Sequence, residues 1–142
     1  MENNIICSGA LFYSTSTKRF LFLQRTSDKT KGMWGLVGGR TKYTESAFEG
    51  LKREVKEEVG DMPKFKKIIP LEMFTSNDEK FFFHTYLIAI ENEFLPKLNK
   101  EHSGYCRTAF ECWPKNLHMG LKNTLNNKAI KGKLQTILDL IT

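Results

Sequence analysis

One segment of this chain, residues 39–60, has the length of a helix and carries an unusual arrangement of acidic side chains. It reads GRTKYTESAFEGLKREVKEEVG. Glu54, Glu57 and Glu58 stand at positions i, i+3 and i+4, so a helix of 3.6 residues per turn places them on one face. Like charges four residues apart destabilise an isolated helix by about 0.2–0.5 kcal/mol. Hard oxygen ligands brought together against this repulsion predict a site for a divalent cation.

The same segment contains the signals that begin, bury and end a helix. Thr44 is a good N-cap, and Gly60 is placed as a C-cap glycine. An apolar stripe lies beside the carboxylate face and predicts an amphipathic helix that packs on a core; it consists of Phe48, Leu51, Val55 and Val59.

Two further positions bear on the carboxylate face. Gly50 falls among the glutamates, although a glycine inside a helix costs about 1 kcal/mol relative to alanine. Its missing side chain leaves room for a close approach to the helix surface. Arg53 lies four residues before Glu57 and can brace that carboxylate. From helix geometry alone, a charge-laced face exposed to solvent is an alternative to a metal site.

Composition bounds the class of protein. At 142 residues the chain is long enough for one domain with a hydrophobic core, and we expect residues 1–142 to form a single domain. No apolar run approaches the roughly 20 residues that a membrane span needs. The first residues include an acid and lack a basic region, so no signal peptide is expected. The three cysteines form no C-x-x-C pair, which favours reduced thiols and a cytoplasmic location.

The charge pattern limits the partners. The formal net charge is +6, and the basic residues are scattered along the chain and form no dense block. Scattered charge predicts either a solvated surface or a field that attracts small polyanions such as nucleotide phosphates. Stable nucleic-acid binding would require basic residues concentrated on one element, so we do not expect it.

Strand and helix signals alternate along the chain. Residues 5–12 and 19–24 predict a β-hairpin, and residues 65–75 and 80–90 predict a second one around the turn at 76–79. Residues 29–39 read as a glycine-rich loop. Residues 105–111 predict a last strand, and residues 121–127 and 133–141 predict two helices. This order favours an α/β fold, an α/β/α sandwich around a mixed sheet.

The spacing within residues 39–60 resembles the signature of the Nudix hydrolase superfamily, which includes MutT-like proteins. The signature is G-x5-E-x7-R-E-U-x-E-E-x-G-U, where U is apolar, and its fixed positions match Gly39, Glu45, Arg53, Glu54, Glu57, Glu58 and Gly60. Seven specified residues match by chance at a given start about once in 10⁸. Two positions depart from the pattern: Asp61 replaces the final apolar residue, and Val37 stands where many members have proline.

The resemblance implies a hydrolase that cleaves a nucleoside diphosphate linked to another group, with Mg²⁺ or Mn²⁺ as cofactor. It assigns metal binding to the carboxylates of Glu54, Glu57 and Glu58. The backbone carbonyl of Gly39 (or that of Gly38) would be a further ligand. Glu45 and Arg53 would tie the loop to the helix.

The catalytic base varies within the family, and the resemblance leaves it open. It is a helix glutamate, here Glu57 or Glu58, or a carboxylate on a later loop, for which Glu101 is the best candidate. His102 is a further alternative.

Three residues are candidates for substrate contact. Arg25 ends the second predicted strand and can reach a phosphate. Trp34 could stack on a base, although a loop tryptophan also packs, and His118 precedes a predicted helix.

The group linked to the nucleoside diphosphate is not set by this signature. We prefer a small-molecule nucleotide, ADP-ribose or a dinucleoside polyphosphate. The alternatives are a (d)NTP pyrophosphatase that sanitises nucleotides, a non-catalytic nucleotide-binding module on the same fold, and an RNA-decapping enzyme. The resemblance also leaves a homodimer open.

Overall fold

A computed structural model describes residues 4–142 and contains one mixed sheet flanked by helices. In chain order, the strands are β1 Ile5–Ser14, β2 Arg19–Arg25, β3 Trp34–Gly35, β4 Val37–Arg40, β5 Lys67–Thr75, β6 Phe81–Ile90 and β7 His102–Ala109. The helices are α1 Ala47–Val59, α2 Met119–Asn126 and α3 Lys128–Ile141.

β1 is the central strand of the sheet. It runs parallel to β6 along its whole length, from the Ile5–Phe81 pair to the Ser14–Ile90 pair. Its other edge is divided between two antiparallel partners. Tyr13 and Ser14 pair with β2 in the predicted hairpin, while residues 7–10 pair with β4. This division places β4, the strand directly before the carboxylate helix, beside the central strand.

Each face of the sheet buries its own hydrophobic cluster. On one face, the apolar stripe of α1 packs with β1, β2 and β6 around Leu51, Val55 and Ile88. On the other face, α2 and α3 contribute Leu125 and Leu134 to the second cluster. The predicted α/β/α sandwich around a mixed sheet is confirmed. Among residues 4–142, no helix has the length and apolar character required to cross a membrane.

Several elements differ from the sequence prediction. Residues 29–39 contain strands and are not wholly a loop. β3 lies inside this range and pairs with β2, while β4 begins inside it and pairs with β1. β7 begins at His102, three residues before its predicted start. α3 begins at Lys128 and not at residue 133, since the side chain of Asn127 accepts a hydrogen bond from the backbone N–H of Ile130. Glycine has little intrinsic preference for strands, so a glycine-rich segment forms a strand only where a neighbouring strand pairs with it.

The start of α1 also differs from the prediction. Its N-cap is Ser46 and not Thr44. The Ser46 hydroxyl accepts from the Glu49 N–H at 3.1 Å, and the Glu49 carboxylate accepts from the Ser46 N–H at 2.8 Å. This reciprocal capping box satisfies two backbone donors, which Thr44 cannot do from two residues farther away. Gly60 does occupy the C-cap, with a φ of +100° that favours glycine.

We predict that Ser46→Ala lowers the free energy of unfolding by about 1 kcal/mol, because it removes the capping acceptor. Thr44→Ala is the matched control and is expected to have little effect, within about 0.5 kcal/mol. Urea denaturation followed by circular dichroism measures both variants. Equal effects of the two substitutions would contradict the assignment of Ser46 as the cap.

Candidate metal centre and substrate site

Three carboxylates from two parts of the chain meet at one end of the sheet. Glu54 and Glu58 project from α1, and Glu101 comes from the residue before β7. One oxygen atom of each carboxylate lies within 4.8 Å of the others. Three anionic oxygens this close repel one another unless a cation lies between them.

Glu58 is the most buried of the three carboxylates. This residue is only 3% exposed, and its carboxylate accepts a hydrogen bond from the backbone N–H of Gly38 at 2.9 Å. The pKa of Glu58 is raised to about 8, mainly by burial and then by the charges of Glu54 and Glu101, against the lowering effect of the Gly38 N–H. Burial also raises the pKa of Glu54, with a further contribution from Glu57. Both shifts favour the protonated form of these carboxyl groups.

Two consecutive glycines allow β4 to approach this centre. A side-chain carbon on Gly39 would lie 2.8–2.9 Å from the carboxylate atoms of Glu54. A side-chain carbon on Gly38 would lie 2.1 Å from the Ser8 carbonyl oxygen, and the φ of Gly38 is +156°. The missing side chain of Gly39 therefore lets β4 lie against Glu54 of α1, and that of Gly38 lets β4 lie close to β1.

Arg53 joins the loop, the strand end and the helix. Its guanidinium donates to both oxygens of Glu45 at 2.8 and 3.0 Å and to the carbonyl of Arg40 at 3.0 Å. It also donates to Glu57 at 2.8 Å and to Glu54 at 3.1 Å. The hydrogen bond from Arg53 is the main cause that lowers the pKa of Glu45 to about 2.

Glu57 stands outside the group of three carboxylates, although it shares Nη1 of Arg53 with Glu54. Its side chain is 49% exposed and binds Arg53 as an i, i+4 pair, and it is not one of the three carboxylates within 4.8 Å. The predicted contact between Arg53 and Glu57 is present. Of the four carboxylates predicted to bind the metal or to act as the base, the structure brings together Glu54, Glu58 and Glu101.

Gly50 makes room for Thr41. The sequence placed an open space among the carboxylates at this position, and the structure fills the space with a buried threonine from the segment after β4. A side-chain carbon on Gly50 would lie 2.8 Å from both Cγ2 and Oγ1 of Thr41. Sequence spacing could not identify Thr41, because its contact with α1 depends on the path of β4 beside β1.

This set of donors fits a hard divalent cation such as Mg²⁺ or Mn²⁺. All three clustered side chains offer oxygen atoms, and such cations prefer oxygen ligands. A cation of this kind would offset the repulsion among the three carboxylates.

Arg25 and His118, two of the predicted substrate contacts, lie close enough for the charge of Arg25 to act on the His118 ring. Arg25 pairs in register with His102, the residue after Glu101, and its side chain lies 3.7 Å from where a side-chain carbon on Gly35 would stand. Burial lowers the pKa of His118, and the charge of Arg25 lowers it further. Nδ1 of His118 accepts from the Gly120 N–H at 3.2 Å, so the proton of the neutral ring resides on Nε2. Both residues therefore offer hydrogen-bond donors.

Trp34 is partly buried and packs against the cluster formed with α2 and α3. Its backbone N–H donates to Asn116, and its carbonyl accepts from the His118 N–H, each at 2.8 Å. These bonds hold the segment before α2 against β3, so Trp34 positions His118 through its main chain.

The fold and the centre agree with one family. The family model described as NUDIX domain matches residues 6–126, and the chain therefore belongs to the Nudix family. Family membership implies pyrophosphohydrolase activity on small nucleotide substrates. No curated protein sequence matches this chain at a significant level.

Solved structures share the fold at low sequence identity. The MutT NUDIX hydrolase from Burkholderia pseudomallei is 22% identical with a TM-score of 0.71, and the match covers 89% of this chain and 99% of that chain. An Ap4A hydrolase from C. elegans is 19% identical with a TM-score of 0.73, covering 94% and 98%. An ADP-ribose pyrophosphatase from Streptococcus suis is 19% identical with a TM-score of 0.68, covering 92% and 91%.

We predict that Gly50→Ala lowers the free energy of unfolding by about 1–2 kcal/mol, although alanine is the better helix former by about 1 kcal/mol. The added methyl group would overlap Thr41, which is buried and short. In a Thr41→Ala background, the two closest contacts are gone and the same substitution should be neutral or stabilising. A double-mutant cycle in urea measures this coupling, and stabilisation by Gly50→Ala in the wild-type background would contradict it.

We predict that the metal-free protein loses stability through Glu58 as the pH rises. A carboxyl group whose pKa is raised on folding binds its proton more tightly in the folded state. The stability that Glu58 contributes through this tighter binding is fully present below about pH 4.5 and is lost as the pH rises to about 8. Glu58→Gln keeps the acceptor for the Gly38 N–H but cannot ionise. In EDTA, its free energy of unfolding should therefore exceed that of the wild type increasingly between pH 5 and pH 9, by an amount on the order of a few kcal/mol. A difference that does not change with pH would contradict the prediction.

Proposed function

We propose that this protein is a divalent-cation-dependent pyrophosphohydrolase that cleaves the diphosphate of a nucleoside diphosphate linked to another group. The observation that carries the proposal is the group of three carboxylates within 4.8 Å, two of which lie on the helix that bears the family's signature. Mg²⁺ or Mn²⁺ bound there would neutralise the diphosphate and acidify a bound water.

The residues of the chain take distinct roles in this proposal. Glu54, Glu57 and Glu58, together with the backbone carbonyl of Gly39, hold the cation. Arg53 and Glu45 keep the loop and α1 in a fixed relation, which their ion pair at 2.8 Å supports. Because positioning and charge stabilisation dominate phosphoryl transfer, small displacements of these groups are costly.

The general base is proposed to be Glu101, with Glu57 and Glu58 as the helix alternatives. Glu101 is the most exposed of the three clustered carboxylates, while Glu58 is buried and its pKa is raised by that burial. An exposed carboxylate beside the cation site can accept a proton from water and pass it to solvent.

Arg25 and His118 are proposed to bind the substrate beyond the scissile bond. Arg25 lies on the Glu101 side of the centre, and its neutral neighbour His118 presents an Nε2–H donor. Both can donate to phosphate oxygens that project away from the cation. Trp34 is partly exposed and is bonded through its main chain to His118, and its ring is proposed to stack on a base.

Among substrates, ADP-ribose and dinucleoside polyphosphates are preferred. Two proteins that share this fold are named as an ADP-ribose pyrophosphatase and an Ap4A hydrolase, each at 19% identity. The chain's net charge of +6 suits a polyanionic small molecule.

A substrate panel tests the proposal. The purified protein is incubated with Mg²⁺ or Mn²⁺ and ADP-ribose, dinucleoside polyphosphates, nucleotide sugars, the (d)NTPs and a 5′-capped RNA. Product analysis identifies the phosphorus atom that is attacked. Product from ADP-ribose or a dinucleoside polyphosphate supports the proposal, and preferred turnover of (d)NTPs or cap release would select an alternative. Thermal stabilisation by a nucleotide without turnover would indicate a binding module.

We predict that Glu57→Gln lowers kcat by at least about 100-fold, more than loss of an outer-shell partner of a metal ligand typically costs. The neutral amide keeps a partner for Arg53 and removes one proposed anionic ligand, so the variant is expected to fold. Glu79→Gln is the control, since Glu79 is exposed in the β5–β6 turn. Steady-state kinetics on the best substrate of the panel gives the answer, and a full rate in Glu57→Gln would remove this residue from the site.

A further inference from the structure

Glu101 reaches the metal centre on a segment that has no regular secondary structure of its own. Residues 91–101 connect β6 to β7, and their backbone is attached to α1 where the Lys97 N–H donates to the Val59 carbonyl at 2.8 Å. On the other side, the Thr26 N–H donates to the Glu101 carbonyl at 3.0 Å, and the Thr26 hydroxyl donates to the Lys100 carbonyl at 2.8 Å. These bonds fix the path of the main chain but leave the direction of the Glu101 carboxylate undetermined.

The side chain of Asn99 supplies the missing constraint. Its amide nitrogen donates to the backbone carbonyl of Glu57 at 2.9 Å and to the carboxylate of Glu101 at 3.2 Å. Its amide oxygen accepts from the Glu101 N–H at 3.0 Å. The carbonyl of Glu57 belongs to the last turn of α1, where carbonyl groups lack partners within the helix.

We infer that Asn99 is a positioning residue that holds the Glu101 carboxylate against the two helix carboxylates of the centre. The Asn99 amide uses its NH₂ group and its oxygen in three hydrogen bonds, so it links Glu101 directly to the helix that carries Glu54 and Glu58. A serine or an alanine at this position cannot make the three bonds together. The inference deepens the proposed function and rests on the role given there to the carboxylate cluster.

The side-chain bonds of Asn99 are separate from those that support the fold. The bonds made by Lys97 and Thr26 involve backbone atoms that remain when Asn99 is changed. A variant at Asn99 should therefore fold and lose only the orientation of Glu101, which is how a positioning residue differs from a purely structural one.

Mn²⁺ binding by isothermal titration calorimetry tests the inference without any substrate. Four proteins are compared: the wild type, Asn99→Ala, Glu101→Gln and the double variant. Glu101 is one of the three carboxylates whose charge surrounds the cation site, so its displacement in Asn99→Ala should weaken Mn²⁺ binding by about 10-fold, the low end of the loss found for outer-shell partners of metal sites. In the Glu101→Gln background, the same substitution should have almost no further effect, because Asn99 acts through Glu101.

Asn99→Asp gives a second and stricter comparison. It preserves the size of the side chain and the acceptor for the Glu101 N–H, but it turns an oxygen toward the Glu57 carbonyl and the Glu101 carboxylate. It should weaken Mn²⁺ binding at least as much as Asn99→Ala. Asn92→Asp adds the same charge to the same segment at an exposed position and should bind Mn²⁺ like the wild type.

The inference is overturned if Asn99→Ala binds Mn²⁺ with wild-type affinity, or if it weakens binding equally in both backgrounds. Thermal melts in EDTA show whether each variant is folded. If Asn99→Ala is unfolded, the Mn²⁺ affinity of Asn99→Asp is the test, and wild-type affinity of that variant overturns the inference. Failure of the proposed function has a different signature. A wild type that binds Mn²⁺ with the expected coupling but cleaves no diphosphate would refute the activity and leave the role of Asn99 intact.

Discussion

The ion pairs of Arg53 are the interaction on which the arrangement of the centre depends. One guanidinium binds Glu45 before α1, the Arg40 carbonyl at the end of β4, and Glu54 and Glu57 on the helix. Its side chain is 22% exposed, so these bonds are shielded from solvent more than surface pairs are. Because the planar group has donors in fixed directions, it sets the angle between the loop and the helix, which a lysine could not do.

The centre also requires β4 and the segment after it to lie close to β1 and α1, and three glycines make this possible. Gly38 and Gly39 let β4 lie against β1 and α1, and Gly50 lets the segment after β4 sink into the helix surface. The resulting contact brings the Gly38 N–H to the buried carboxylate of Glu58. The same closeness excludes water from Glu58, and this loss of solvent is the main cause of its raised pKa. A single packing arrangement thus creates both the geometry and the charge imbalance of the site.

The fold and the site differ in how much of each could be predicted from sequence. The two hairpins, the amphipathic α1 and the sandwich follow from local periodicity, which a sequence displays directly. The start of α1 was misplaced, because Thr44 and Ser46 are both good caps and only the reciprocal bond with Glu49 selects Ser46. β3 and β4 were missed for a related reason, since their glycines and short lengths carry little strand signal without the partners that β1 and β2 supply.

The sequence by itself determined the family signature and the shared helix face of Glu54, Glu57 and Glu58, because helix periodicity follows from spacing alone. It also indicated the contact between Arg53 and Glu57. Only the tertiary structure decided which carboxylates come together. Glu101 joins Glu54 and Glu58, while Glu57 turns to Arg53, and Asn99 bridges the two segments. The bond from Asn99 to the Glu57 carbonyl joins residues 42 positions apart, and the position of Glu101 likewise depends on how the β6–β7 connection crosses the end of α1. No local pattern encodes that crossing, since it results from the packing of the whole sheet.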